Sequence, residues 1–171
     1  MNIRFAGALL LGSAFLTVTS GAASSADTKA AAPVNPPAAA SETYAPGLGD
    51  FMTAYVQPHH IKLWLAGSVG NWRLAAYEAD ELGETFDDIS SYQAVWKSIP
   101  VARLVKAMIE PALKNVAAAI TGKNATNFKS AYASLTAACN SCHLATQHEF
   151  VEIKVPTTDP FSDQNFAASQ R

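Results

Sequence analysis

Residues 125–147, ATNFKSAYASLTAACNSCHLATQ, decide how the rest of the chain is read. Phe128, Ala131, Tyr132, Leu135, Ala138, Cys139 and Cys142 form one continuous apolar stripe at helical spacing. Asn124 stands where a cap is expected, so the spacing predicts a helix from about Ala125 to Gln147. Near its end lies Cys139-Asn140-Ser141-Cys142-His143. On a helix, residues three and four apart share a face, so both thiols and the imidazole emerge from one side.

C-x-x-C-H is the attachment signature of c-type haem. The two thiols bond to the porphyrin edge and the adjacent imidazole becomes the proximal iron ligand. The expectation is one covalent haem c, held by Cys139 and Cys142, with His143 on the iron. Three rivals share the pattern. A zinc site needs further cysteines or histidines at ligand spacing, and the chain has 2 cysteines in all. A thioredoxin-like pair follows a strand in a βαβ pattern, which the sequence lacks. A disulfide between residues three apart closes a very small loop and stabilises little.

The N-terminus places this chemistry outside the cytoplasm. Met1 to about Ala26 has a positive start at Arg4, an apolar run from Phe5 to Val18 and small residues at Ser24-Ser25-Ala26, the form of a cleaved secretory signal. The run is short for a bilayer span, and no later stretch is long and apolar enough. The mature protein is expected to be soluble and exported, and the compartment that the c-type resemblance implies is the periplasm. Residues 27–46, rich in Ala and Pro, read as a disordered linker. Without Arg4 the balance is 11 Lys+Arg against 14 Asp+Glu, about −3, too weak to argue for nucleic acid or long-range steering.

Three more helices are expected ahead of the motif. The first runs from Gly47 or Leu48 to Ser68, with Phe51, Met52, Tyr55, Val56, Leu63, Trp64 and Ala66 apolar. Pro58 predicts a kink or a break within it, and Gly67 and Gly70 a stop. Asn71 caps a second helix, Trp72 to Ile89, whose stripe is Ala75, Ala79, Leu82, Phe86 and Ile89 and whose acidic residues, Glu78 among them, read mostly as a solvated face. Asp88 to Pro100 is a long connection, with Tyr92, Val95 and Trp96 packing back. The third helix, Val101 to Ile120, carries Leu104, Val105, Met108, Ala112, Val116 and Ile120, with a kink or restart at Pro111 and a stop at Gly122. Residues 150–171 form a non-helical tail that Phe161 and Phe166 pin to the body or leave mobile. Four amphipathic helices with short or moderate links make an all-α, antiparallel four-helix bundle over residues 47–149.

The last helix resembles the haem helix of the cytochrome c-prime superfamily, four-helix bundles with CxxCH on the final helix. The likeness covers roughly residues 47–147. A common cytochrome c carries CxxCH near its N-terminus and a Met ligand far downstream, whereas this chain has no Met after Met108. The stretch His60-Ile61-Lys62-Leu63-Trp64-Leu65-Ala66-Gly67, with Asn71-Trp72 and Leu74-Ala75-Ala76-Tyr77-Glu78, resembles a family of exported monohaem proteins. The first resemblance implies a periplasmic monohaem cytochrome and leaves a homodimer open.

Function then turns on the second axial position. With the first and last helices antiparallel, the start of helix one is level with the end of helix four. Met52 is well placed there, as in low-spin relatives of cytochrome c-prime; its plain alternative is an ordinary core Met. His59 and His60 lie about 10–12 Å further along a straight helix, where His59 returns to the Met52 face and His60 is turned about 80° away. The HxKLW resemblance favours His60 of the two. His148 is expected on the exposed end. The leading expectation is one-electron transfer to a redox partner protein, with no enzymatic activity. Rivals are a five-coordinate protein binding nitric oxide or carbon monoxide, a peroxidase needing a distal acid–base group, and a haem-free bundle with a redox CxxC.

Overall fold

The apolar periodicities become four helical runs in the computed structural model, which describes residues 44–168. The expected leader, Met1 to about Ala26, and the linker as far as residue 43 lie outside the described residues. The chain divides after Ser41, and everything described belongs to the unit from Glu42 to Arg171. Among the described residues there is no strand, only an isolated bridge between Trp96 and Ile99. No described helix is long and apolar enough to cross a membrane.

The first run spans residues 48–68 without a break, and Pro58 shows why none is needed. The α-turns of Leu48–Phe51 give way to a π-turn over Met52–Val56 before α-geometry resumes at Gln57–Ser68. Proline has no N–H to donate, and its ring clashes with the carbonyl four residues back. Here the bonding shifts to five residues back, with Gln57 N–H donating to the Met52 carbonyl, so the ladder widens just ahead of Pro58. The third run, residues 101–121, repeats the device. A π-turn over Val105–Ile109 precedes Pro111, and Glu110 N–H donates to the Val105 carbonyl. Both expected kinks are π-bulges.

The second helix is longer than its stripe predicts, Trp72–Tyr92, and its N-cap Asn71 accepts from Leu74 N–H as expected. The connection is correspondingly shorter. Trp96 packs against the core, but Tyr92 and Val95 face solvent. The fourth helix is Ala125–Ala145, capped by the Asn124 side chain on Asn127 N–H.

One glycine expectation changes. Gly67 does not end its helix. It lies where the Phe128 ring presses on the first helix, and an added Cβ would fall 2.1 Å from the Phe128 Cζ. Gly122 does stop the third helix, as its C-cap, and the left-handed residue that follows is Lys123.

The first helix packs on the second, the second on the third, the third on the fourth, and the fourth back on the first. Their inward stripes make one core. In the third helix it is Val101, Ile109 and Ala119 that are buried with Val105, Ala112, Val116 and Ile120, while Leu104 and Met108 are only partly covered. The non-helical tail is anchored. Phe166 is buried, Lys62 lies over the Phe161 ring, and Asn71 donates to the carbonyls of Phe166 and Ala167.

Candidate functional site

The C-x-x-C-H turn opens onto a cavity of about 560 Å³. Cys139, Cys142, His143 and Thr146 of the fourth helix line one side. The two π-bulged stretches supply Met52 and Val56 from the first helix and Val105 and Ile109 from the third, with Phe86 from the second. Residues of the tail, including Ile153 and Pro156, complete the wall. Both bulges therefore face the same space, a placement common for π-turns at functional sites.

The two cysteines are free thiols. Burial pushes the Cys139 thiol up to about 12 and raises that of Cys142. A redox-active CxxC depends on a lowered thiol pKa, so these neutral thiols do not fit the thioredoxin-like alternative. His143 is oriented by a single strong bond. Its Nδ1–H donates to the Val151 carbonyl at 2.6 Å. A carbonyl can only accept, so Nδ1 carries a proton, and in the neutral ring the lone pair is on Nε2. This is the tautomer that histidine metal ligands have, with the far ring nitrogen bonded to a carbonyl.

The three other histidines go to different places. His59 does not share the cavity with Met52. Its Nδ1–H donates to Glu78 Oε2 at 2.8 Å, tying the first helix to the second. Glu78 is 1% exposed and so is the exception on an otherwise solvated acidic face. His60 lies against the cavity instead, because the extra residue of the π-turn gives a spacing of eight the direction that seven has on a straight helix. Both its ring nitrogens are engaged, Nδ1 with the Tyr132 hydroxyl at 2.9 Å and Nε2 with the Thr136 hydroxyl at 3.1 Å. Tyr132 also donates to the His60 carbonyl. Burial lowers the His60 pKa to about 4, so the ring is neutral near pH 7. His148 is partly covered rather than exposed. It lines the cavity, donates from Nδ1 to the Thr146 carbonyl and meets the Trp96 ring edge-on.

Met52 remains the one expected distal residue whose donor atom has no competing partner in these contacts, since a thioether is only a weak acceptor. The donor set fits a c-type haem: two thiols and an oriented imidazole on one helix turn, a thioether on the same cavity, and walls that are mainly apolar. Among the described residues no three His, Cys, Asp or Glu side chains cluster to hold a bare metal ion. Asn140 and the Val151 carbonyl were not foreseeable. Asn140 occupies a variable position of the motif, and a backbone carbonyl carries no sequence signal. No family model, curated protein or solved structure matches the chain.

Proposed function

We propose that this chain is an exported, periplasmic monohaem c-type cytochrome that transfers single electrons to a partner protein. The observation that carries the reading is the shared apolar cavity of about 560 Å³ lined by Cys139, Cys142, His143 and Met52. Its volume is within the range of roughly 300–1,000 Å³ typical of cofactor-sized sites. Cys139 and Cys142 would tether the haem by thioether bonds and His143 Nε2 would take the proximal position. Bound there, the haem supplies a ferric–ferrous couple.

The remaining work belongs to the chain. Met52 would hold the iron together with His143, and a Met/His pair raises the potential and suits electron transfer. Val56, Phe86, Val105 and Ile109 keep water from the site. His60, with both nitrogens committed, acts as a strut between the first and fourth helices rather than as a ligand. The same commitment leaves it unfit as the distal acid–base group of a peroxidase, so the reading is electron carriage without catalysis.

The architecture that goes with this reading is an antiparallel four-helix bundle of the cytochrome c-prime kind. Its support is register. His60 meets Thr136 and Tyr132, whereas Gly67, further along the first helix, meets Phe128, earlier in the fourth.

The test is an absorption spectrum of the exported protein, ferric and ferrous, with and without carbon monoxide. Covalent haem with a low-spin spectrum that carbon monoxide leaves unchanged is expected. A high-spin spectrum that shifts with carbon monoxide would move the assignment to a gas-binding protein. Absence of covalent haem would remove both.

A further inference from the structure

The tail does more than cover the cavity, because two residues of the C-x-x-C-H turn grip its backbone. Asn140 Nδ2–H donates to the Ile153 carbonyl at 2.8 Å, and Ile153 N–H donates to Asn140 Oδ1 at 2.8 Å. One carboxamide thus completes both hydrogen bonds of a single residue's backbone, which needs a donor and an acceptor on one planar group. Two residues earlier the Val151 carbonyl accepts from His143 Nδ1–H. Asn140 and His143 are three apart on the helix, so they stand on one face and hold the same extended segment. The approach to that segment is itself bonded, by His148 N–H to the His143 carbonyl and Val151 N–H to the His148 carbonyl.

We propose that Asn140 is a positioning residue for His143: by clamping Ile153 it holds the Val151 carbonyl where it fixes the tautomer and direction of the imidazole. The consequence for a bound haem rests on the function proposed above; the clamp itself does not. A hydrogen bond from the far ring nitrogen to a carbonyl makes a ligating imidazole more basic. A more basic ligand favours the ferric state. Loss of such a partner commonly costs 10- to 100-fold in metal affinity or activity. Acting at one remove, Asn140→Ala is expected at the lower end, about tenfold in the ferric–ferrous preference, which is an upward shift of about 59 mV for one electron.

The experiment uses the full exported protein, with Asn140→Ala, Asn140→Gln and Phe161→Ala beside the parent. Intact mass first reports whether haem is attached at the two cysteines, which judges the proposed function on its own. Hydrogen exchange at the Ile153 amide then judges the clamp with or without haem, and nitrogen-15 NMR of the histidine rings judges it in protein produced without haem, where no iron holds Nε2. The expected result is faster exchange at Ile153 in Asn140→Ala and, in the haem-free protein, a mixture of His143 tautomers, both partly restored in Asn140→Gln. Phe161→Ala, which frees the tail away from His143, should leave the tautomer unchanged. In a haem-bearing protein the midpoint potential should rise for Asn140→Ala and stay put for Phe161→Ala. An unchanged His143 tautomer in haem-free Asn140→Ala, or a haem potential that does not rise, would overturn the assignment.

Discussion

The two halves of the first and fourth helices are built on opposite principles. From Leu63 to Gly67, facing Phe128 to Tyr132, packing is so close that the Phe128 ring lies directly on the glycine backbone. Trp64, Trp72, Phe128 and Tyr132 form a connected aromatic cluster with centroid separations of 5.0–6.2 Å. From Met52 to His60, facing Thr136 to Thr146, the same helices leave a cavity, and the helix that carries Met52 is itself deformed by a π-turn. A core that fills one half allows the other to stay open. Close packing supplies stability at one level of the molecule, while at the other Cys139, Cys142, His143 and Met52 border open space.

The sharpest way to break that contrast is to empty the packed half. Phe128→Ala should lower stability by about 4 kcal/mol, the usual range for a fully buried Phe, measured by urea unfolding. Gly67→Ala alone should cost about 2 kcal/mol through overpacking. In the Phe128→Ala background the same change should cost little, because the ring it strikes is gone. Additive losses would show that Gly67 and Phe128 do not share the load.

The boundary between the halves should respond to acid. His60 is held neutral by burial, with its pKa lowered to about 4, whereas the unfolded chain binds a proton near pH 6.5. Between those values the unfolded state carries more protons, so this contribution is complete above about pH 6.5 and is lost as pH falls toward 4. The full loss is about 3 kcal/mol. Urea midpoints of the parent and of His60→Gln, compared across that window, check it. A parallel fall in both proteins would assign the acid sensitivity elsewhere.

The smallest stability effect and the largest functional one should coincide at Met52. It is only partly buried and borders open space, so Met52→Ala should cost about 1 kcal/mol or less, below the 2–5 kcal/mol usual for a core Met. It should nevertheless convert a low-spin spectrum into one that responds to carbon monoxide. A loss as large as that of Phe128→Ala, with an unchanged spectrum, would make Met52 an ordinary core residue and erase the distinction between the halves.

Much of this was legible in one dimension. The stripes of the four helices, the caps at Asn71 and Asn124 and the C-x-x-C-H face depend on neighbours three or four residues away, and helical periodicity exposes such relations directly. Pro58 and Pro111 marked the right places, and the form of the fault, a π-turn just ahead of each, was not legible. A proline announces a fault in the ladder but does not say how the hydrogen bonds rearrange around it.

What only the tertiary structure decided involves partners far apart in the chain. His60 rather than His59 reaches the cavity because a one-residue shift in phase, invisible in the spacing, turns it toward Tyr132 and Thr136. Glu78 is buried because His59 on another helix receives it. The tail became a wall of the site because Asn140 and His143 found its backbone, and backbone groups are the same at every position of a sequence. Residue types and their local order determined the helices and the donor set; the direction of each donor came from contacts between segments that no local pattern encodes.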